Sequence, residues 1–331
     1  MDVGDIDSAV QHATTALGAA RAWSDEAPED PERLRVLTIA HNRMGEVLAR
    51  AGRRRDARAS LRVSLGIRKR LAASPEGPPR LRRDLSICHE KLGDLSALNG
   101  ALADAERHYT RSLGLREELA EDLPSGDSAP GGARRDLAAV HGRLGSLARR
   151  AGDVSAATRG FRRAVEILRA LDGAEPGHTG VRLDLVQATS ILGDLARGRG
   201  DQGKALVHYD EALRLAGELA TADFGSVLHL DALATSHAHL GEQLWRMEDF
   251  EEADTNLRSV RDVRLRIASI RPDDPAAAES LALAYERLER VADVFGRDDV
   301  AAANRDAGVT ERARGVGLLE FATLGTQRRN G

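Results

Sequence analysis

Aromatic side chains are scarce in this chain, 3% of 331 residues, so its interior cannot rest on stacked rings. Cysteine is scarcer still. Cys88 stands alone, which excludes an intrachain disulfide, cannot complete a zinc site by itself, and predicts a reducing, cytoplasmic setting. Charge of one sign is also lacking: 48 basic and 52 acidic residues leave a net −4. Without a basic bias the chain has no long-range attraction to nucleic acid or to an anionic membrane, and neither is expected as a partner. No apolar run approaches the roughly 18 residues of a spanning helix. The first residues, with Asp5 and Asp7 among them, lack the basic and apolar regions of an export leader.

What the chain does contain is Ala, Leu and Arg in quantity, all strong helix formers. They recur with a fixed period. Met44-Gly45 returns as Leu92-Gly93, Leu144-Gly145, Leu192-Gly193 and Leu240-Gly241, with Leu288-Glu289 as a degenerate sixth. Twelve residues after each anchor stands a small residue: Ala57, Ala105, Ala157, Ala205, Ala253 and Ala301. Four further on stands a large one in five of six units, Leu61, Tyr109, Phe161, Tyr209 and Leu257, with Arg305 in the last. Seven past each anchor lies Gly52, Gly100, Gly152, Gly200 or Gly296, with Glu248 as the exception; this is where a helix ends in a residue tolerant of positive φ. The unit is therefore helix, glycine turn, helix, and all ten prolines are expected outside the helices, in the loops between units. A two-helix hairpin cannot bury its apolar face alone, so it stacks on its neighbour and needs the same small and large residues at the same places.

The order of His or aromatic, Leu-Gly, Ala, then Tyr or Phe resembles the tetratricopeptide repeat over residues 32–314. The family's first aromatic column holds His41, His89, His141, Thr189, His237 and Tyr285 here, so its usual Trp is replaced. The repeat is similar to a long bacterial variety opening on Arg-Arg-Asp-Leu, as at Arg82–Leu85 and Arg134–Leu137. The resemblance implies an all-α helical-hairpin repeat solenoid, a right-handed superhelix whose concave groove is lined by the first helix of each unit, and a function in protein or peptide binding. Residues 31–314 would form six hairpins. Residues 1–30 are either an N-terminal capping helix or the remnant of a half-repeat, because Gly4, Asp5, Ala9 and Leu17 sit one period before Gly52, Arg53, Ala57 and Leu65. Residues 315–331, with Val316, Leu318, Leu319, Phe321 and Leu324, are either a cap or a docking tail.

Motifs that carry chemistry are weak. Gly198–Ala205 resembles a phosphate loop, but Ala205 stands where Ser or Thr would bind magnesium, and the segment falls on a repeat turn. His237 and His239 are two residues apart on a helix and cannot converge on one metal. No nucleophile, base and orienting group recur together, so the chain is expected to be no enzyme and to need no metal or cofactor.

Around the anchor, one column reads Arg43, Lys91, Arg143, Ile191, His239 and Arg287, and another, three residues on, reads Glu46, Asp94, Ser146, Asp194, Glu242 and Arg290. Basic and acidic residues three apart on a helix form a solvated ladder of ion pairs, or else a row of donors for the carboxylates of a bound segment. Arg50, Arg150, Trp245 and Arg246 follow along the same helices, and Arg and Trp dominate interface hot spots. The expected groove thus comprises Arg43, Glu46, Arg50, Lys91, Asp94, Arg143, Arg150, Asp194, His239, Glu242, Trp245, Arg246 and Arg287. Residues 31–80 hold 13 basic and 4 acidic side chains, which points to a protein or peptide partner with an acidic segment. Arg-rich, Lys-poor usage points to a bacterial origin. A regulatory or sensor module of a larger signalling, defence or transcription protein is the alternative to a free-standing scaffold.

Overall fold

The computed structural model describes residues 3–73, 78–121 and 130–329, and among them all regular structure is α-helical. A first helix, α1 (Val3–Asp25), precedes six pairs: α2 (Pro31–Arg50) with α3 (Arg54–Leu71), α4 (Pro79–Leu98) with α5 (Leu102–Glu121), α6 (Pro130–Arg150) with α7 (Val154–Ala174), α8 (Thr179–Gly198) with α9 (Gln202–Ala222), α10 (Val227–Arg246) with α11 (Phe250–Ile270), and α12 (Pro275–Val294) with α13 (Asp298–Arg329). They fall into two compact units, residues 1–167 and 168–331, divided within α7.

The anchor columns explain why the two helices of a pair approach so closely. A Cβ added to Gly45 would stand 2.6 Å from Leu61 Cγ, and one on Gly93 or Gly193 would stand 2.5 Å from Cε1 of Tyr109 or Tyr209. The large residue of the second helix thus lies directly on the glycine of the first. The small residue four before it is buried in every pair, from Ala57 to Ala301. Cys88 belongs to the same interior, packed with Met44, Leu48, Leu61 and Leu92. From α1, Ala13 and Leu17 pack on that cluster, in the manner of a second helix of a preceding pair.

Each pair turns through one left-handed residue. Gly52, Gly100, Gly152, Gly200 and Gly296 all have φ between 62° and 82°, and Glu248, where glycine is missing, takes φ 64° as well. The backbone geometry therefore persists where the sequence signal lapses, because the N–H three residues past the helix still closes on a carbonyl of its last turn, Arg53 on Leu48 at 2.8 Å and Asp249 on Leu244 at 3.0 Å.

The prolines correct one expectation. Pro31, Pro79, Pro130 and Pro275 do not lie outside the helices but open α2, α4, α6 and α12. The first helical residue has no intrahelical acceptor for its N–H, so the missing donor costs nothing there and the fixed φ suits the helix. Pro75 and Pro124 lie outside the described residues. At the other end α13 runs unbroken to Arg329, so the last helix of the sixth pair and the expected tail are one element; the side chains of Leu319, Phe321 and Leu324 lie outside those described.

Candidate functional site

Within residues 1–167 the expected charge columns come together, but with a different connectivity. Arg43 does pair with Glu46 three residues on, at 3.2 Å. Lys91 passes over its own helical neighbour Asp94 and reaches back to Glu46 of the preceding pair. Arg143 likewise reaches back to Asp94 and Glu90, both at 3.3 Å. The pairs therefore run across repeats and stitch α2 to α4 and α4 to α6. Side chains on adjacent first helices meet across the stacking interface, where burial strengthens their attraction, whereas a pair along one exposed helix face stays solvated. Burial and the neighbouring Arg43 hold the Lys91 ammonium below its ordinary range.

Beneath this ladder lies a second set of charges that the charge columns did not reveal. Arg68 donates its Nε to Thr38 Oγ1 at 2.9 Å and one guanidinium nitrogen to the Asp84 carbonyl, while Arg35 pairs with the Asp84 carboxylate at 2.7 Å. One repeat on, Arg116 is 1% exposed and binds Asp136 at 2.6 Å and Glu90 at 3.1 Å. Arg68 and Arg116 occupy one column, and Asp84 and Asp136 another. Those columns were visible in the Arg-Arg-Asp-Leu openings, but nothing in one sequence says that an arginine on the preceding second helix is the partner.

In three hairpins the histidine column pairs with a residue 19 positions later. His41 Nδ1 meets Ser60 Oγ at 3.0 Å, His89 Nδ1 meets His108 Nδ1 at 3.0 Å, and His237 Nδ1 meets Asn256 Oδ1 at 2.9 Å. Burial lowers the affinity of these rings for a second proton. His89 falls to about 4, through burial first and then its neighbours His108, Lys69 and Arg111. They serve as packing groups and hairpin hydrogen bonds, and among the described residues no three His, Cys, Asp or Glu side chains cluster as a metal would require.

A small cleft opens on the first helices of this unit. It has a volume of about 210 Å³ and is lined by Ile39, Asn42, Arg43, Glu46, Arg68, Asp84, Ile87 and Lys91. Ile39 is 40% exposed, an apolar side chain in a charged surround. Asn42 is 5% exposed, and no donor among the described residues reaches its Oδ1. Sequence reasoning passed over Ile39, Asn42 and Ile87. The signal available was a polar Asn42 in a column otherwise filled by Glu90, Gly142, Ser190, Ala238 and Glu286, next to a column that is Ile in the first two units only.

Residues 168–331 treat the same columns differently. Asp194 accepts the Tyr209 hydroxyl at 2.7 Å and pairs with Arg197 at 2.9 Å; in the first unit Asp94 accepts the Tyr109 hydroxyl at the same distance. Burial and that hydrogen bond push both phenols up, so they remain neutral donors. His239 packs on Tyr209, ring centroids 5.3 Å apart. Glu242 takes Arg246 at 3.6 Å. Trp245 meets Phe250 edge to face at 4.9 Å and lies against both Leu240 and Leu288, so it serves the interface between pairs. Arg287 faces His239 and, like the exposed Arg50 and Arg150, forms no ion pair among the described residues. Gly198–Ala205 forms the α8–α9 turn, where Asp201 caps α9 and engages Lys204 at 2.6 Å, which leaves no phosphate cradle.

No family model and no curated protein matches the chain. Solved structures do. The apo form of RapI is similar with a TM-score of 0.62 at 11% identity, over 95% of this chain and 79% of its own. BtubC (BKLC) from P. vanneervenii gives 0.60 at 18%, over 78% and 91%. A signal transduction ATPase with numerous domains and a tetratricopeptide repeat sensor, from Pyrococcus horikoshii, gives 0.52 at 15%, over 89% of this chain and 45% of that one. The protein is all-α and built of helical hairpins, and its fold is of the tetratricopeptide-like type, with His in place of the usual aromatic in four of the six pairs. Among the described residues no helix is long and apolar enough to cross a membrane.

Proposed function

We propose that the first-helix face of residues 31–150 binds a peptide or an exposed segment of another protein, and that the protein acts as a non-catalytic scaffold or adaptor in the cytoplasm. The observation that carries this reading is Asn42. A buried amide oxygen left without a donor costs roughly 1–3 kcal/mol, and a peptide N–H supplies the missing donor. Ile39 and Ile87 flank it and offer an apolar seat for one side chain, while Arg43, with most of its guanidinium in water, lies at the rim to meet an acidic group. Lys91 and Arg143 are already committed to Glu46, Asp94 and Glu90, so they position the face more than they grip the ligand.

The test is selection of peptides from a displayed random library on the purified protein. Selected peptides should lose at least about tenfold in affinity, roughly 1.4 kcal/mol, on Asn42→Leu or Ile87→Asp with helicity unchanged. Failure to select any peptide, or selected peptides indifferent to both variants, would refute the reading. A sensor module of a larger signalling protein is a second reading, favoured by likeness to a protein whose tetratricopeptide array is itself a sensor. An adjoining nucleotide-binding or catalytic domain in the same reading frame would decide for it.

A further inference from the structure

A larger cleft lies on the opposite side of α4 from Ile87, between the second helices α3 and α5. Its volume is about 870 Å³, and it is half open to solvent. Leu85, Leu115 and Gly114 contribute apolar lining, and His89 adds a neutral ring. Lys69 stands on the α3 side, with Arg107 and Arg111 one helical turn apart on the α5 side. Lys69 and Arg111 form no ion pair among the described residues, whereas Arg107 is paired with Asp104 and Arg116 with Glu90. Along α3, Arg54, Arg55, Arg58, Arg62 and Arg70 are likewise without ion pairs among the described residues, against one acidic residue in that helix, Asp56.

Gly114 sits in the interior of α5 and lines the cleft, and nothing lies within 4 Å of where its Cβ would stand. Gly18 and Gly66 hold the same column in the preceding helices, equally free of contacts, and the later pairs carry Glu166, Arg214 and Asp262 there. A long side chain placed at Gly114 would therefore stand in the cleft without meeting the rest of the protein.

We propose that this cleft receives an acidic amphipathic segment of a partner protein, its carboxylates toward Lys69, Arg107 and Arg111 and its apolar edge over Gly114, Leu85 and Leu115. A nucleic acid fits less well: the lining has no Trp, Tyr or Phe on which bases would stack, and Glu106 and Glu118 at its margin repel phosphates while they can pair with a basic residue of a mixed-charge helix. A membrane surface would need a protruding apolar face instead of a recess.

The experiment uses the full chain and a fluorescein-labelled helical peptide of Glu, Ala and Leu, with its Gln-for-Glu counterpart, oligodeoxythymidine and phosphatidylserine vesicles as comparators at physiological ionic strength. The Glu peptide should bind at least about tenfold more tightly than the Gln peptide. That binding should fall by a similar factor in K69E/R111E, and also in Gly114→Leu, which fills the cleft yet should leave thermal stability equal or higher. Ile87→Asp, on the other face of α4, should leave it unchanged, so this site and the peptide groove fail separately. Absence of binding, equal binding of the two peptides, indifference to both cleft variants, or tighter binding of the oligonucleotide or the vesicles would overturn the proposal.

Discussion

The two halves of the chain solve the same packing problem with different chemistry. In residues 1–167 the column that follows each Gly anchor by 23 residues holds Arg68 and Arg116, buried and bound to Asp84, Asp136 and Glu90. In residues 168–331 the same column holds first Leu168 and Ala216, buried and apolar, and then Arg264 and Arg312, whose partners Asp231, Glu279 and Glu286 are largely exposed. A hairpin repeat thus demands a filled volume at that place and is indifferent to whether charge or hydrocarbon fills it. The ionic solution carries a condition, because every member of the cluster depends on the others: a buried pair contributes little net stability when intact and costs much when broken.

Removing one member should therefore have the largest effect. Arg116→Ala should lower unfolding stability by about 3 kcal/mol in urea titration, since it leaves Glu90 with Arg143 and Asp136 with the exposed Arg83 as their remaining cations. Copying the second half by Arg116→Ala, Glu90→Ser and Asp136→Ala together, the residues found at Ala216, Ser190 and Ala232, should recover part of that loss. A triple variant no more stable than the single one would break the equivalence drawn here.

Acid should soften the first half more than the second. His41, His89, His108 and His141 there, against His237 and His239 in the other half, are held below the ordinary histidine range, in each case first by burial. A depressed histidine leaves the unfolded chain with more bound protons, so its contribution is complete above about pH 6.5 and is lost as pH falls toward 4. His89, the ring pushed lowest, should account for the largest share of that loss. Hydrogen exchange followed between neutral and mildly acidic pH should show α4 and α5 opening before α10 and α11, and His89→Gln/His108→Gln should abolish the difference.

The anchor glycines should not distinguish the halves. Gly93→Ala and Gly193→Ala each drive a Cβ into a tyrosine ring, and each should cost about 1–3 kcal/mol. The smallest change is a gain: Glu248→Gly should stabilise the protein by about 1 kcal/mol, because Glu248 alone among the non-glycine residues described has positive φ. Thermal melts would register both.

Much of this architecture was legible before any coordinates. Gly45, Ala57 and Leu61 recur at fixed spacing because identical hairpins stacked on one another require identical contacts, so the columns encode helix, turn and interface together. The prolines were misread by one residue, since the sequence marks a helix start without saying on which side of it proline falls. Trp245 could be read from the sequence as packing against the next pair or as a groove residue, and it packs on the clusters of both pairs, because exposure depends on the next pair.

The chain's own order of residues determined the elements, their pairing into hairpins and the positive φ at each turn, because these depend on neighbours close in sequence and repeated at a constant period. Which arginine meets which carboxylate, that Lys91 prefers Glu46 to Asp94, that Asn42 lacks a donor, and that a cleft lined by Lys69 and Arg111 lies between α3 and α5 were decided only by the folded structure. Those outcomes depend on which residues of successive repeats share a buried volume, and no spacing along a single chain records which of two reachable partners is the better desolvated one.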